Sequence, residues 1–358
     1  AEDLRSNCEK YAELITEEMG KPIKEARSEI EKSAWVCNYY SENATKFLKP
    51  SIVETDASQS YITFLPLGII LGIMPWNFPF WQVFRFAAPT LMAGNVCLLK
   101  HASNVTRCSL AIESIFRNAG FPDGCFISLL IQNNRVGEII DNPLVKAISL
   151  TGSTSAGKII ASKAGAVLKK TVLELGGSDP YIVLKDANLN EAVSACVTGR
   201  LINTGQSCIA AKRYIIEESI SEAFQKKLIL AMKKKLIGNP LDELNDLGPI
   251  ARNDLRETLH HQVIKSIDAG AKCLLGGKMP SGSGFFYPIT ILADVKKGMV
   301  AYEEELFGPV ACIIPVKNKT QAIKVANDTS FGLGAAIFTS DIDKGEKIAR
   351  DFIEAGTI

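Results

Sequence analysis

Apolar residues follow two kinds of pattern along the chain. In residues 4–19 and 22–44 they recur at helical spacing, and Gly20 and Pro22 mark the break between two predicted helices. From residue 68 onward they gather into short runs with helical segments between several of them: 69–74, 96–99, 125–130, 147–150, 181–184 and 214–216. Parallel strands that are buried on both faces give such runs. The pattern therefore predicts an α/β fold built on parallel sheet.

One stretch departs from this pattern. Residues 52–67 alternate between apolar and polar side chains and are interrupted by the polar segment 56–59. Such an arrangement predicts a two-stranded hairpin, and its polar character suggests that the hairpin protrudes and serves assembly. No internal repeat or low-complexity segment accompanies it.

The composition narrows the class of protein. The chain has 358 residues, enough for two or three packed units, and its 40 basic side chains nearly balance its 39 acidic ones. The longest basic run is 233–235, so nucleic acid and anionic membrane are not expected as partners. The most apolar region, 69–86, contains Pro75, Pro79 and Arg85, which excludes a membrane span there.

Nine scattered cysteines without a Cys-x-x-Cys pair predict reduced thiols in the cytoplasm, with no disulfide framework and no metal site. With only three histidines, a Cys-His catalytic pair is not expected. The first residue is not Met, and 354–358 resemble the start of a strand. These ends suggest a fragment that lacks both termini of a longer protein.

Three local patterns suggest chemistry, each with a simpler alternative. Cys208 follows a turn of Gly and small polar residues, where a thiol is accessible, although most free cysteines are buried as small apolar groups. Glu174 ends a strand before two glycines, where it could act as a base or simply face water. The turn 151–157 joins a strand to a helix and could hold a phosphate or be an ordinary connection.

Five motifs occur together in one order and at characteristic separations: Pro75-Trp76-Asn77-Phe78-Pro79, Gly152-Ser153, Glu174-Leu175-Gly176-Gly177, Gly205-Gln206-Ser207-Cys208 and Glu304-Glu305-Leu306-Phe307-Gly308-Pro309-Val310. This set resembles the NAD(P)-dependent aldehyde dehydrogenase superfamily over almost the whole chain. Within the superfamily, the segments 100–104, 174–180 and 259–263 are similar to bacterial succinate-semialdehyde dehydrogenases. The resemblance implies a Rossmann-type cofactor domain and an α/β catalytic domain.

The resemblance also implies the catalytic roles. Cys208 would attack the aldehyde carbon, and the side-chain amide of Asn77 with the backbone N–H of Cys208 would stabilise the resulting oxyanion. Glu174 would activate the water that cleaves the thioester. Since the hydrolytic and acylating branches of the superfamily differ at this glutamate, a free acid product is expected.

The implied cofactor is NAD or NADP, held by a set of residues from both halves of the sequence: Trp76, Lys100, Ser103, Gly152, Ser153, Gly157, Glu305 and Phe307. Lys100 would bond the adenosine ribose, Gly152 and Ser153 would face the pyrophosphate, and Glu305 the nicotinamide ribose. Strictly NAD-using relatives tend to carry a glutamate where this chain has Ser103. Since serine does not repel a 2′-phosphate, we expect NADP to be accepted or preferred.

The implied substrate is a small aldehyde that carries a carboxylate, with succinate semialdehyde as the first candidate. Arg85 lies in an otherwise apolar segment and can contact a carboxylate at two points, although an ion pair with a local acid is the structural alternative. Many succinate-semialdehyde enzymes carry a second arginine where this chain has Ile202. Other semialdehydes, lactaldehyde, medium-chain aldehydes, or a catalytically silent binding role therefore stay open.

The resemblance gives the domain boundaries as well. Residues 1–47 and 67–174 would form the cofactor domain, 48–66 the oligomerisation hairpin, and 175–358 an incomplete catalytic domain. Members of this superfamily are usually homodimers or homotetramers, so oligomerisation of the full-length protein is expected.

Overall fold

The computed structural model describes residues 1–358, and the chain divides into two compact units. Unit 1 comprises Ala1–Met19 and Ile23–Leu175, and unit 2 comprises Gly20–Pro22 and Gly176–Ile358. The main division of the chain follows Leu175. None of the helices is long and apolar enough to cross a lipid bilayer.

Unit 1 is a five-stranded parallel sheet with helices around it. Its strands are β1 (Ser51–Ile52), β2 (Tyr61–Ile62), β3 (Ile69–Met74), β4 (Val96–His101), β5 (Phe126–Ser128), β6 (Val145–Thr151) and β7 (Lys170–Glu174), of which β1 and β2 stand apart from the sheet. Its helices are α1 (Glu2–Ser6), α2 (Cys8–Met19), α3 (Ile23–Phe47), α4 (Trp81–Met92), α5 (Thr106–Asn118), α6 (Val136–Asp141) and α7 (Thr154–Ala166), with 3₁₀ turns at Ser103–Val105 and Asn133–Arg135.

The sheet of unit 1 has the strand order β5-β4-β3-β6-β7, and every neighbouring pair is parallel. The order reverses direction at β3, as in a dinucleotide-binding fold, where ligands bind beyond the carboxyl ends of the strands on either side of the switch. The loops after β3, β4 and β6 leave the sheet at that edge. This arrangement confirms the predicted α/β class and brings Asn77, Lys100 and Gly152 to one edge of the sheet.

The strands β1 and β2 pair antiparallel, Ser51 with Ile62 and Ile52 with Tyr61. This hairpin leaves apolar side chains exposed on and after its second strand: Tyr61, Ile62, Phe64, Leu65 and Leu67. A run of exposed apolar residues on an isolated hairpin is typical of a surface that another chain covers.

Unit 2 contains a six-stranded sheet. Its strands are β8 (Asp179–Val183), β9 (Ala211–Glu217), β10 (Lys272–Leu275), β11 (Thr290–Ala293), β12 (Val310–Val316) and β13 (Ala336–Phe338), in the order β10-β11-β12-β9-β8-β13. Its helices are α8 (Leu189–Leu201), α9 (Glu218–Lys233), α10 (Asn253–Asp268), α11 (Val300–Glu303), α12 (Lys319–Asn327) and α13 (Ile342–Phe352), with a 3₁₀ turn at Ile202–Gly205. Only the β10–β11 pair is antiparallel.

One of the two central strands of unit 2 is β9, and all seven of its residues are buried, including Lys212 and Arg213. Apolar side chains cover it on both faces, as expected for an interior strand of a parallel sheet. The strands β10, β11, β12 and β13 were not among the predicted runs. Strand-like pairing begins within 354–358 as expected: Thr357 bridges Gly334 in parallel, and the Gly356 N–H donates to the Gly332 carbonyl at 2.9 Å.

Candidate active site

Cys208 lies on a turn with an unusual backbone. It follows Asn203, Thr204 and Gly205, which adopt φ angles of 54°, 55° and 76°, so three successive residues are left-handed. For residues with a Cβ this conformation costs about 1–3 kcal/mol each and persists only where the surroundings enforce it. The thiol is half-buried, while the residues just before it are buried. The prediction of an accessible cysteine on a tight turn is therefore correct.

Hydrogen bonds from neighbouring segments hold this turn. The Asn203 side-chain amide donates to the carbonyl of Gln206 at 3.0 Å, and the Gln206 side chain accepts from the Ala251 N–H at 2.9 Å. The Thr204 hydroxyl accepts from the Gly248 N–H at 3.1 Å. These contacts fix the strained backbone, because the turn cannot relax without losing several buried bonds at once.

Glycines in and near the turn before Cys208 allow neighbouring segments to pack closely against its backbone. A Cβ on Gly205 would lie 2.3 Å from the carbonyl oxygen of Gly308, and one on Gly177 would lie 2.5 Å from that of Cys208. A Cβ on Gly176 would lie 2.6 Å from a carboxylate oxygen of Glu305. No side chain fits at those distances. The glycine pair after Glu174 thus makes room for Cys208 and Glu305.

Glu305 is fixed by two contacts within unit 2. Its Oε1 accepts from the Gly177 N–H at 3.1 Å and lies 3.3 Å from the Nζ of Lys212. Phe307, two residues further on, is half-buried in the same segment before β12. The carboxylate is therefore held in one position by a backbone amide and a cation.

Lys212, which the sequence analysis did not single out, is one of three buried cations on α8 and β9, the elements that flank this turn. Its Nζ donates to the carbonyls of Ser207 and Cys208, and the guanidinium of Arg200 donates to the carbonyl of Gly205 at 2.6 Å. The third cation, Arg213, donates to the carbonyls of Ser178, Val325 and Ala326. Buried charge is expensive unless it is paired, so such residues are not expected in an interior strand.

Burial and the neighbouring charges shift the pKa values of the groups in this cluster. Burial lowers the pKa of Lys212 to about 8, although the Glu305 carboxylate opposes that change. Burial also lowers the pKa of Arg200, and it raises the pKa of Asp179, with Lys212 opposing the latter shift. The sequence did contain one local sign of this cluster. Lys212 and Arg213 stand at the start of an apolar strand, directly after the turn that carries Cys208.

In unit 1, Asn77 is buried in the loop that leaves β3. That loop is anchored by His101 at the end of β4. Nε2 of the ring lies 2.9 Å from the Pro79 carbonyl, and Nδ1 lies 3.2 Å from the Met74 carbonyl, so the ring joins the end of β3 to the loop that follows it. Burial lowers the pKa of His101 to about 4, which keeps the ring neutral at physiological pH.

A second anchor holds the same loop from the other side. The carboxylate of Glu29 on α3 is buried and accepts from the N–H groups of Phe80 and Trp81 at 2.8 and 3.0 Å. These donors belong to the first turn of α4, whose positive dipole end favours a negative charge. The sequence contained no local signal for this cap, because Glu29 lies about 50 positions before its partners.

Arg85 and Glu174 lie together in unit 1. Nη1 of Arg85 on α4 lies 3.7 Å from Oε2 of Glu174, and the two side chains are 38% and 43% exposed. Nη2 of Arg85 donates to Gln82 at 2.8 Å and to the Thr151 hydroxyl at 3.4 Å. Because β6 and β7 place Thr151 beside Glu174, one arginine contacts the ends of both strands. The local acid that pairs with Arg85 is therefore Glu174, the residue predicted to be the catalytic base.

The remaining sequence-predicted residues of unit 1 lie at the carboxyl edge of its sheet. Lys100 is buried and donates to the Asn133 side chain at 2.5 Å, and burial lowers its pKa. Ser153 caps α7 by accepting from the Ala156 N–H, whereas Ser103 is exposed. A Cβ on Gly157 would meet Leu175 at 2.5 Å, which requires a glycine there. Trp76, half-buried, precedes Asn77 in the loop after β3.

The set at this edge suits an anionic dinucleotide. A buried ammonium, a capped helix N-terminus and a close-packed glycine lie at the switch point of a parallel sheet, where such ligands bind. In unit 2, the fixed carboxylate of Glu305 can accept hydrogen bonds from hydroxyl groups. No cluster of side chains in the chain could hold a metal ion.

The model of the aldehyde dehydrogenase family matches residues 1–358. A succinate semialdehyde dehydrogenase [NAD(P)+] of Escherichia coli is 50% identical over 348 residues, which cover 97% of this chain and 75% of the relative. A succinate-semialdehyde dehydrogenase [NADP(+)] of Mycolicibacterium paratuberculosis is 45% identical over 361 residues, covering 100% of this chain and 76% of the relative.

Among solved structures, a succinic semialdehyde dehydrogenase from Streptococcus pyogenes in complex with NADP+ superposes with a TM-score of 0.97. It is 36% identical, and the match covers 99% of this chain and 78% of that one. The family model spans the whole sequence and the structural match spans both units. The chain belongs to the aldehyde dehydrogenase family.

Proposed function

We propose that the protein oxidises succinate semialdehyde to succinate, with NADP or NAD as the oxidant. Relatives that are 50% and 45% identical are named for this reaction. The choice of substrate rests on one observation: the guanidinium of Arg85 is half-exposed and lies beside the predicted base Glu174. A semialdehyde presents a carboxylate for the arginine and an aldehyde for the cysteine.

Cys208 is the nucleophile of this proposal. Its sulfur attacks the aldehyde carbon, and the carbonyl oxygen becomes an oxyanion that accepts from the Cys208 N–H and the Asn77 amide. The hydrogen bonds that fix the turn before Cys208 support the role of its N–H, because they set the backbone direction before substrate binds. Loss of one such donor typically lowers the rate by about 10²–10³-fold.

The cofactor would be held by the dinucleotide-binding edge of unit 1 and by Glu305. Lys100 and the N-terminus of α7 at Ser153 offer positive potential to ribose and pyrophosphate oxygens. A nicotinamide cofactor held there would supply the two-electron oxidant that the thiohemiacetal on Cys208 needs to become a thioester, by accepting its hydride. Ser103 is exposed and neutral, so it does not repel a 2′-phosphate, and NADP is expected to be used at least as well as NAD.

Glu174 completes the reaction by taking a proton from the water that cleaves the thioester. The products are the free acid and the regenerated thiol of Cys208. Arg85 supports this role as well, since it holds the carboxylate at the end of β7. A glutamate fixed only by an exposed pair can move toward water without a large cost.

The same geometry accommodates other short aldehydes that carry an anion. Ile202 is exposed where many succinate-semialdehyde enzymes have a second arginine, so one cation alone would recognise the carboxylate. A second candidate function is therefore the oxidation of a different semialdehyde, favoured by this single contact.

Nine free cysteines support a reducing, cytoplasmic setting. The exposed apolar hairpin supports a homodimer or homotetramer.

A panel of aldehydes tests the proposal. Succinate semialdehyde, glutarate semialdehyde, lactaldehyde and an uncharged aldehyde of similar length are each assayed with NAD and with NADP, following NAD(P)H absorbance. The expected result is the highest kcat/KM for succinate semialdehyde, with NADP at least equal to NAD. Higher kcat/KM for the uncharged aldehyde would contradict the substrate, and background turnover with NADP would contradict the cofactor.

A further inference from the structure

Lys212 is a buried cation that the proposed reaction does not use. Its side chain is 2% exposed, and its Nζ lies 3.0 Å from the carbonyl of Ser207, 2.8 Å from that of Cys208 and 3.3 Å from that of Ala210. The fourth oxygen around it is Oε1 of Glu305, at 3.3 Å. An ammonium has three protons, so all of its donors are committed to these two segments.

The contact to Ser207 sets the direction of the oxyanion donor. The Ser207 carbonyl and the Cys208 N–H belong to one planar trans peptide group, in which C=O and N–H point in opposite directions. By holding the carbonyl, Lys212 directs the N–H away from itself. An oxyanion donor must be aimed before the charge develops, because catalysis gains most from groups that need no reorganisation.

Because Nζ of Lys212 lies 2.8 Å from the Cys208 carbonyl, its charge also acts on the sulfur of the same residue. Glu305, Arg200, Asp179 and Cys208 are the titratable groups that face it. Two of these are carboxylates, one is a second buried cation and one is the thiol. A cation at this place favours the thiolate, which is the nucleophilic form of cysteine.

We propose that Lys212 is a positioning residue that links the nucleophile to the cofactor carboxylate. One ammonium aims the Cys208 N–H, stabilises the Cys208 thiolate and fixes Glu305 for the nicotinamide ribose. The roles of Cys208 and Glu305 come from the proposed function. The link between them comes from the four contacts of one buried atom.

A purely structural lysine would satisfy the same carbonyls without affecting the chemistry. The two roles differ in what a neutral replacement changes. The structural role predicts lower stability with an unchanged thiol, whereas the positioning role predicts a less reactive thiol and weaker cofactor binding in the folded protein. Arg213 provides a matched control, because it is a buried cation that holds three carbonyls outside the nucleophile turn.

The first experiment measures alkylation of Cys208 by iodoacetamide between pH 6 and 9.5, with the modified residue located by peptide mass spectrometry. In Lys212→Met we expect alkylation at pH 7 to be at least tenfold slower, with the half-maximal rate at a higher pH. In Arg213→Lys the profile should match that of the wild-type protein. Identical profiles for Lys212→Met and the wild-type protein would overturn the proposal.

The second experiment measures NADPH binding by its fluorescence. Lys212→Met and Glu305→Gln should each weaken binding about tenfold, and the double variant should be no weaker than either single one. Such non-additivity is the signature of two groups that act as one unit. Independent, multiplying losses would show that Lys212 does not act through Glu305.

Two measurements keep the proposal testable if Lys212→Met does not fold. Lys212→Gln retains a hydrogen-bond donor without the charge and should slow alkylation in the same direction. In the wild-type protein, the alkylation profile should depart from a single titration near pH 8, where burial places the pKa of Lys212. A simple one-proton profile would contradict the link. Neither readout requires turnover, so a failure to oxidise any aldehyde would refute the proposed function alone.

Discussion

Two ion pairs each join a cation to a carboxylate of the candidate site, and they differ in depth. Arg85 and Glu174 are 3.7 Å apart and more than a third exposed, whereas Lys212 and Glu305 are 3.3 Å apart and only 2% and 19% exposed. An exposed pair contributes about 0–1 kcal/mol and exchanges partners easily, but a buried cation cannot lose its partner cheaply. The first pair suits groups that must meet substrate and water, and the second suits groups that must not move.

The largest effect is expected when the carboxylate of each pair is removed in turn. Glu305→Leu should lower the free energy of unfolding by about 3 kcal/mol, because it removes the carboxylate in direct contact with the buried Lys212 ammonium. Glu174→Leu should change it by less than about 1 kcal/mol. Urea denaturation at pH 7 measures both. Equal losses in the two variants would show that depth does not separate the pairs.

His101 sharpens the comparison, since it is a buried titratable group with no ion partner. Its pKa is lowered to about 4 from a usual 6.5, so the unfolded chain binds its proton first as the pH falls. The stability that it contributes is present above pH 6.5 and lost toward pH 4, by about 3 kcal/mol in total.

The measurement is urea denaturation at pH 7 and pH 4 for the wild-type protein and for His101→Gln, which keeps a donor for the Pro79 carbonyl but cannot titrate in this range. The variant should lose about 3 kcal/mol less between the two pH values. If both proteins lose the same stability, the ring is not held neutral in the fold.

Much of the fold could be predicted from the sequence, because burial imposes a local pattern. The runs at 69–74, 96–99 and 147–150 became β3, β4 and β6, which form the centre of one sheet. The accessible turn at Cys208 was predicted from its glycine and small polar residues. The start of a strand expected at 354–358 is seen as a single parallel bridge between Thr357 and Gly334.

The buried charges could not be predicted in the same way. A lysine in sequence is most often a surface residue, and Lys212 is buried because Glu305, 93 positions later, and three carbonyls surround it. The Glu29 cap on α4 likewise depends on partners that lie 51 and 52 positions away. Such partners are brought together by the tertiary fold, which a single sequence does not specify locally.

Breaking the exposed pair from the cation side should change binding and leave stability nearly unaltered. Arg85→Leu should raise KM for succinate semialdehyde about 100-fold, a loss of about 3 kcal/mol, because the substrate carboxylate loses a two-point contact. KM for an uncharged aldehyde of similar length should change less than threefold. Steady-state kinetics with both substrates measures this, and equal changes would show that Arg85 does not recognise the carboxylate.

The smallest effect uses salt alone and leaves both pairs intact. Charges that face solvent are screened over about 10 Å at 0.1 M salt, whereas buried ones are screened much less. Raising sodium chloride from about 0.05 to 0.5 M should therefore raise KM for succinate semialdehyde about threefold through Arg85, while the alkylation rate of Cys208, which depends on buried Lys212, stays within about 1.5-fold. The uncharged aldehyde serves as the control for general salt effects on turnover. An alkylation rate that falls with salt as steeply as substrate affinity would mean that solvent reaches Lys212 as freely as Arg85, and the distinction between the two pairs would then be lost.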